Sequence, residues 1–262
     1  MSEQHQIRFE DGASYETYMG VWSRKVGGQF LDWLNPAPGL SWLDVGAGNG
    51  AFTALLADRV KPASILGVDP SPAQLDYARK RTDVGAARFV QGHAMELPAN
   101  DASADAAVMA LVIAFVPDPA KGVAEMVRAV KPGGHVSAYM WDWPEGFPFY
   151  SLEQVIAARG LPVVAPPSAD ASRLQAMHAL WQGAGLANVE SRVITVERTF
   201  PDFDRFWAIA LTGPRMSAQA AQLSPEILAT LRAGLKTLLG AEDAKPVTLK
   251  ATANAVKGLV PG

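Results

Sequence analysis

The chain has 262 residues, 49% hydrophobic and 19% charged, a globular composition with material for one large core. Its 23 basic residues are scattered among 26 acidic ones for a formal charge of −3, and no basic stripe marks a nucleic-acid partner. The absence of cysteine excludes disulfides, thiolate zinc sites, iron–sulfur clusters and cysteine nucleophiles.

Residues 1–11 are polar, without the apolar core of a signal segment, and the longest apolar run, 106–116, is too short to cross a bilayer. A cytoplasmic protein with no membrane partner is expected. Residues 15–34 read as a helix, with Tyr15, Tyr18, Met19 and Trp22 at helical spacing. From 41 to 141, short apolar runs alternate with amphipathic stretches, the pattern of a parallel sheet flanked by helices. Strands are expected at 41–45, 64–69, 87–91, 105–114 and 135–141, without clean alternation, as befits strands buried on both faces. Between the first two, Phe52, Leu55 and Leu56 recur at helical spacing. Ser71-Pro72-Ala73-Gln74 has the N-cap, first-turn proline and third-position glutamine of a helix start. Val123, Met126, Val127 and Val130 form an apolar stripe on a helix stopped by Lys131-Pro132-Gly133-Gly134.

In the second half, 170–185 reads as a helix with Leu174, Met177, Leu180 and Trp181 facing inward, and 188–200 as a long strand. Residues 201–240 look helical, with a strong start at Ser224-Pro225-Glu226 and Leu228, Leu231, Leu235 and Leu238 on one face. A last strand is expected over 247–260.

The chemistry concentrates where the first strand runs into Gly46-Ala47-Gly48-Asn49-Gly50 and then a helix. Glycines let a ligand approach the backbone, and a helix start offers unpaired N–H groups. Asp69, ending the second strand, can accept both hydroxyls of a ribose. Gly46, Gly48 and Ala51 also satisfy a dinucleotide fingerprint, so this pattern alone leaves an NAD-dependent oxidoreductase open. Asp44, two residues before the first glycine, suits a cationic ammonium better than a pyrophosphate, and about forty residues precede this strand, unusually many for a dinucleotide domain.

The run Leu43-Asp44-Val45-Gly46-Ala47-Gly48-Asn49-Gly50, the acid in Gly67-Val68-Asp69, the stretch Gln91-Gly92-His93-Ala94-Met95-Glu96-Leu97-Pro98, the start Asp105-Ala106-Ala107-Val108 and the turn Lys131-Pro132-Gly133-Gly134 resemble class I S-adenosylmethionine-dependent methyltransferases. The chain is similar to the group that includes the ubiquinone/menaquinone-type enzymes. The motifs cover roughly residues 40 to 140, in order. The resemblance implies S-adenosyl-L-methionine as cofactor, with Asp44 near its ammonium group or orienting the loop. It implies Gly46, Ala47 and Gly48 against methionine and ribose, Asp69 on the ribose hydroxyls and Pro70 beside adenine. Ala94 and Met95 match the pair receiving the adenine, and Ala110 the end of the fourth strand near the methionine; simple core packing remains open for these three. His93 stands where relatives usually place an aspartate that accepts from adenine, and Ala114 lies where they often carry a histidine. Tyr18 matches a lid tyrosine closing over the methionine end.

No dedicated base stands out. His135 and His178 read as structural, His5 lies in a polar tail, and Asp142, between Trp141 and Trp143, is the candidate catalytic residue, with a loop carboxylate capping backbone amides as the alternative. No metal is expected. The polar-Pro-Pro-aromatic motif of base-amino methylation is missing at Ile113-Ala114-Phe115-Val116-Pro117, as is the aspartate of catechol-type enzymes. Trp143, Phe147, Phe149 and Tyr150, with Phe203 and Phe206, imply an apolar, enclosed acceptor cavity; Arg205 and Arg215 are candidates for an acidic group on the acceptor, or for solvated surface.

The expected protein is therefore one domain over 1–262: an α/β, doubly wound, Rossmann-like fold with a seven-stranded, mostly parallel sheet, an antiparallel last strand and a helical lid. The core is placed at about 38–145, 186–200 and 246–262, and the lid at 12–35 and 201–240. Its expected function is methyl transfer to a small, partly apolar metabolite, as a monomer or homodimer. A protein that binds the cofactor without methylating is the second alternative.

Overall fold

A computed structural model describes residues 16–262, apart from the side chains of Pro214 and Arg215. The expectations for His5 and Tyr15, and for the Arg215 side chain, lie outside the described residues. In chain order, a π-helical turn (Glu16–Gly20) leads into α1 (Val21–Leu34), β1 (Ser41–Val45), α2 (Ala51–Val60), β2 (Ser64–Asp69), α3 (Pro72–Arg79), β3 (Arg88–Gln91) and β4 (Ala104–Ala110). A short 3-10 turn (Ile113–Phe115) precedes α4 (Pro119–Ala129) and β5 (Val130–Trp141). Then come α5 (Tyr150–Ala157), a second 3-10 turn (Ala169–Ser172), α6 (Leu174–Gly183) and β6 (Ala187–Phe200). The chain closes with α7 (Phe203–Ala210), α8 (Pro214–Ala220), α9 (Pro225–Leu238) and β7 (Val247–Leu259).

The sheet has seven strands in the order β3-β2-β1-β4-β5-β7-β6, with β7 antiparallel to both neighbours, as expected. The order reverses beside β1, so the crevice at the carboxyl ends of β1 and β4 is the topological switch point where such sheets bind ligands. The strands of the middle are buried on both faces, which explains their lack of alternation. On β5, Val136, Ala138 and Met140 meet α4 and α6 residues Val123, Met126, Met177 and Trp181, while Tyr139 and Trp141 point to the opposite core with Trp22, Phe30 and Phe52.

Local signals fixed the helix starts. Ser71 accepts from the Gln74 N–H at 3.4 Å with Pro72 behind it, and Ser224 accepts from Ile227 N–H at 3.4 Å. Asp118 and Asp202 cap α4 and α7 in the same way, at 3.0 and 2.7 Å.

Four differences from the sequence reading have physical causes. The helix does stop before Lys131–Gly134, at Ala129, but β5 starts at Val130 and not at 135, because Val130 pairs with Ala104 of β4 and the Gly133–Gly134 turn bonds to Val260. β4 ends at Ala110, not at 114, because Leu111 takes the left-handed conformation (φ 63°), with its N–H on Tyr139 O. The stretch 201–240 breaks into three helices, and within α9 Leu238 is exposed, although Leu231 and Leu235 are buried. The helix α5 went unforeseen, hidden in an aromatic-rich segment whose Leu152, Val155 and Ile156 turn inward.

Trp181 is fully buried and its indole N–H donates to Val136 O at 2.8 Å. Trp181→Ala should therefore destabilise the fold by about 3–5 kcal/mol in denaturant titration; a loss below about 1 kcal/mol would mean that α6 does not dock on the sheet this way.

Candidate functional site

At the end of β1 the chain turns through three left-handed glycines, Gly46 (φ 78°), Gly48 (φ 53°) and Gly50 (φ 78°). Gly46 is required twice over: an added Cβ would lie 2.4 Å from Cγ2 of Val112, which packs over it. The N–H groups of Gly46 and Ala47 both donate to Val68 O, at 2.7 and 3.0 Å, tying the turn to β2. Gly67 completes the close approach, since a Cβ there would stand 2.6 Å from the Phe89 ring and 3.1 Å from Ala47 Cβ.

Asp69 is clamped by two backbone amides. Its Oδ2 accepts from Gly48 N–H and its Oδ1 from Ser71 N–H, both at 2.9 Å. Each carboxylate oxygen keeps a second lone pair for a ligand. Burial pushes its pKa up, against the pull of the two amides and of the nearby His93.

Asp44 sits beneath the same turn with no solvent exposure. Thr53 Oγ1, on the first turn of α2, donates to its Oδ2 at 2.6 Å, while Oδ1 is buried with no hydrogen-bond partner. Burial raises its pKa to about 7, Thr53 opposes the shift, and the Asp69 charge adds to it. Such an unanswered buried acceptor is costly unless something supplies a donor or a positive charge.

The remaining predicted residues fall into two groups. Pro70 follows Asp69 at the surface, its carbonyl accepting from Gln91 Nε2 at 3.2 Å. His93 is exposed, in a tight turn where Glu96 N–H donates to its carbonyl at 3.0 Å. Ala94 and Met95 are half-buried against the core that holds Leu43, Val68 and Met109, and Ala110 is half-buried at the end of β4. Farther along the carboxyl edge, Tyr18 stacks on Phe149 at 4.1 Å between ring centroids and packs against Gly213. Asp142 pairs with Arg173 at 3.2 Å, a guanidinium it shares with Glu145 at 2.9 Å. The turn thus gathers Asp44, Gly46, Ala47, Gly48 and Asp69, whereas Tyr18 and Asp142 join other clusters. No group of acidic and histidine side chains among the described residues could hold a metal ion.

Three residues of the turn escaped the sequence reading. Thr53 had a signal, a hydroxyl at helical position three facing the strand end. Val112 and Arg81, the latter packed on Gly50 and paired with Asp83, had none, because their proximity is purely tertiary.

The sign of the Asp44 shift makes a stability prediction. A carboxyl whose folded pKa is raised favours folding below its ordinary value of about 4, and that contribution is lost as pH rises through 7. Asp44→Asn should therefore be more stable than the parent by about 1 kcal/mol or more at pH 8, with the gap closing toward pH 4. Thermal unfolding at both values checks it; a variant less stable at pH 8 would refute the raised pKa.

Residues 43–138 match the family model of a methyltransferase domain. An uncharacterized methyltransferase of Mycobacterium bovis is 38% identical over 106 residues, 40% of this chain and 42% of that protein. A demethylmenaquinone methyltransferase of Bacillus licheniformis is 36% identical over 121 residues, 45% of this chain and 52% of that protein. The chain thus spans about half the length of the curated relatives it matches. Among solved structures, phosphoethanolamine N-methyltransferase 2 of Haemonchus contortus, in complex with S-adenosyl-L-methionine, shares the fold, with a TM-score of 0.59 over 99% of this chain and 61% of that one at 20% identity. The resemblance to class I S-adenosylmethionine-dependent methyltransferases is borne out over residues 43–138, the stretch that matches the methyltransferase-domain model.

Proposed function

We propose that the chain transfers a methyl group from S-adenosylmethionine to a small, partly apolar metabolite, acting as one domain over 1–262, in the cytoplasm, as a monomer or homodimer without nucleic-acid or membrane partners. No helix among the described residues is long and apolar enough to cross a membrane. The observation that carries the reading is the pair of carboxylates at the glycine turn, Asp69 clamped with lone pairs to spare and Asp44 buried with one oxygen unanswered.

These residues fit the donor. Asp69 would hold the ribose hydroxyls, Gly46, Ala47 and Gly48 would lie against the methionine and ribose, and Asp44 would answer the ammonium group through Oδ1 or through the loop. Pro70, His93, Ala94 and Met95 would border the adenine, and Ala110 the methionine. When bound, the sulfonium supplies an electrophilic methyl carbon for attack by an oxygen, nitrogen or carbon of the acceptor.

The protein's own contribution is positioning and the exclusion of water. Tyr18, Phe149 and Phe206 form an apolar wall joining the N-terminal turn, the segment after β5 and α7. Asp142 is the candidate to take a proton from the acceptor, with Arg173 fixing its orientation. An NAD-dependent reading is not favoured, because a buried acceptor beneath the turn meets a pyrophosphate with like charge.

Asp69→Ala should weaken S-adenosylhomocysteine binding by roughly 2 kcal/mol, since charged hydrogen bonds to the ribose are lost. Calorimetry on parent and variant measures it, with NAD as the control that should give no binding heat. Unchanged affinity would place the ribose elsewhere, and NAD binding in place of S-adenosylhomocysteine would end the methyl-transfer reading.

A further inference from the structure

Strand register puts a guanidinium above the carboxyl edge of the sheet. Trp141, the last residue of β5, pairs with Ala253, and Ala253 with Ile194 of β6. Arg198 lies farther along β6, about 13 Å beyond that level at the rise of an extended strand. β6 is the edge strand on the far side of β4, β5 and β7 from β1. The usual strand spacing therefore sets Arg198 about 19 Å across the sheet from the glycine turn. Ile194, Val196 and Phe200 share its face of the strand and are buried, so Arg198 points under the lid.

There its guanidinium lies 4.4 Å from the centre of the Phe200 ring. Phe200 meets Phe206 edge-on, Phe206 stacks with Phe149, and Phe149 stacks with Tyr18. Arg198 Nη1 donates to the Tyr18 carbonyl at 3.4 Å, a long bond that closes the ring of contacts. This one bond uses little of a guanidinium's capacity of five donors.

The charges that act most on Arg198 are positive. Burial first, then Arg205 and Arg24, hold the Arg198 pKa below the ordinary guanidinium value. Arg24 is neutralised by Glu16. Neither Arg198 nor Arg205 has a carboxylate partner among the described residues. Arg198, half-buried on the aromatic column without a carboxylate partner, and the exposed Arg205, whose charge reaches it, can together receive a planar or tetrahedral oxyanion.

We propose that the methyl acceptor carries a carboxylate or phosphate group, which Arg198 receives as its direct partner while Arg205 adds positive charge. The proposal rests on the methyl-transfer reading and names the substrate class of that site. The donor's own carboxylate is a poor alternative occupant, because the glycine turn lies across three intervening strands from Arg198.

The test uses the full chain saturated with S-adenosylhomocysteine, titrated by calorimetry with benzoate and with its neutral counterpart benzamide. Benzoate should bind about tenfold more tightly than benzamide. In Arg198→Gln that preference should vanish while S-adenosylhomocysteine affinity stays within about twofold of the parent; Arg198→Lys should keep part of the preference, which shows that charge and not folding is being read. Equal binding of the two probes, no benzoate binding, or a preference that survives Arg198→Gln would overturn the proposal while leaving the donor reading intact. Failure of the parent to bind S-adenosylhomocysteine would overturn both.

Discussion

Asp44, next to last in β1, has no solvent exposure, and Thr53 answers only one of its two oxygens. A carboxylate in that position destabilises the empty protein, because burial disfavours its charged form. Gly46, Gly48 and Gly50 turn the backbone through left-handed conformations just after it, and Val112 and Phe89 press on the turn at Gly46 and Gly50, where a side chain would crowd them. Asp69 then fixes the rim, because the same two amides that hold its carboxylate also hold the turn and the start of α3. Stability given up at Asp44 is the expected signature of a site built for a cationic ligand.

The wider fold follows from placing that turn correctly. Five parallel strands, the middle ones buried on both faces, bring β1 and β4 together at the switch point, and the left-handed Leu111 turns the chain out of β4 so that Val112 reaches Gly46. The second half of the chain contributes differently. β6 and β7 extend the sheet, and α7 and α9 bury Phe206, Leu231 and Leu235 against the same core as Trp22 and Phe30. The lid and the sheet thus share one hydrophobic core, which supports a single unit.

Much of this was legible in the sequence, and the reason is local. Seven strands, the Ser71 and Ser224 helix starts and the glycine turn depend on residues close in the chain, where propensity and capping chemistry act. The two carboxylates were legible because their positions relative to the glycines carry the chemistry. What escaped notice depends on distant contacts. The end of β4 was set by a non-glycine residue in a left-handed conformation, which no pattern announces. The β5 start was set by pairing of Val130 with Ala104 on a neighbouring strand, and α5 was masked by aromatics. Arg198 looks like an ordinary charged residue on an alternating strand until register lifts it above the sheet edge.

The central claim is that Asp44 is the counter-charge of the donor's ammonium group. Calorimetry of S-adenosylhomocysteine binding at pH 7, repeated in buffers of different ionisation enthalpy, counts the protons exchanged. With the Asp44 pKa at about 7 in the empty site, the account predicts release of about half a proton on binding, and none in Asp44→Asn. Binding without proton release, or with the same release in Asp44→Asn, would contradict it.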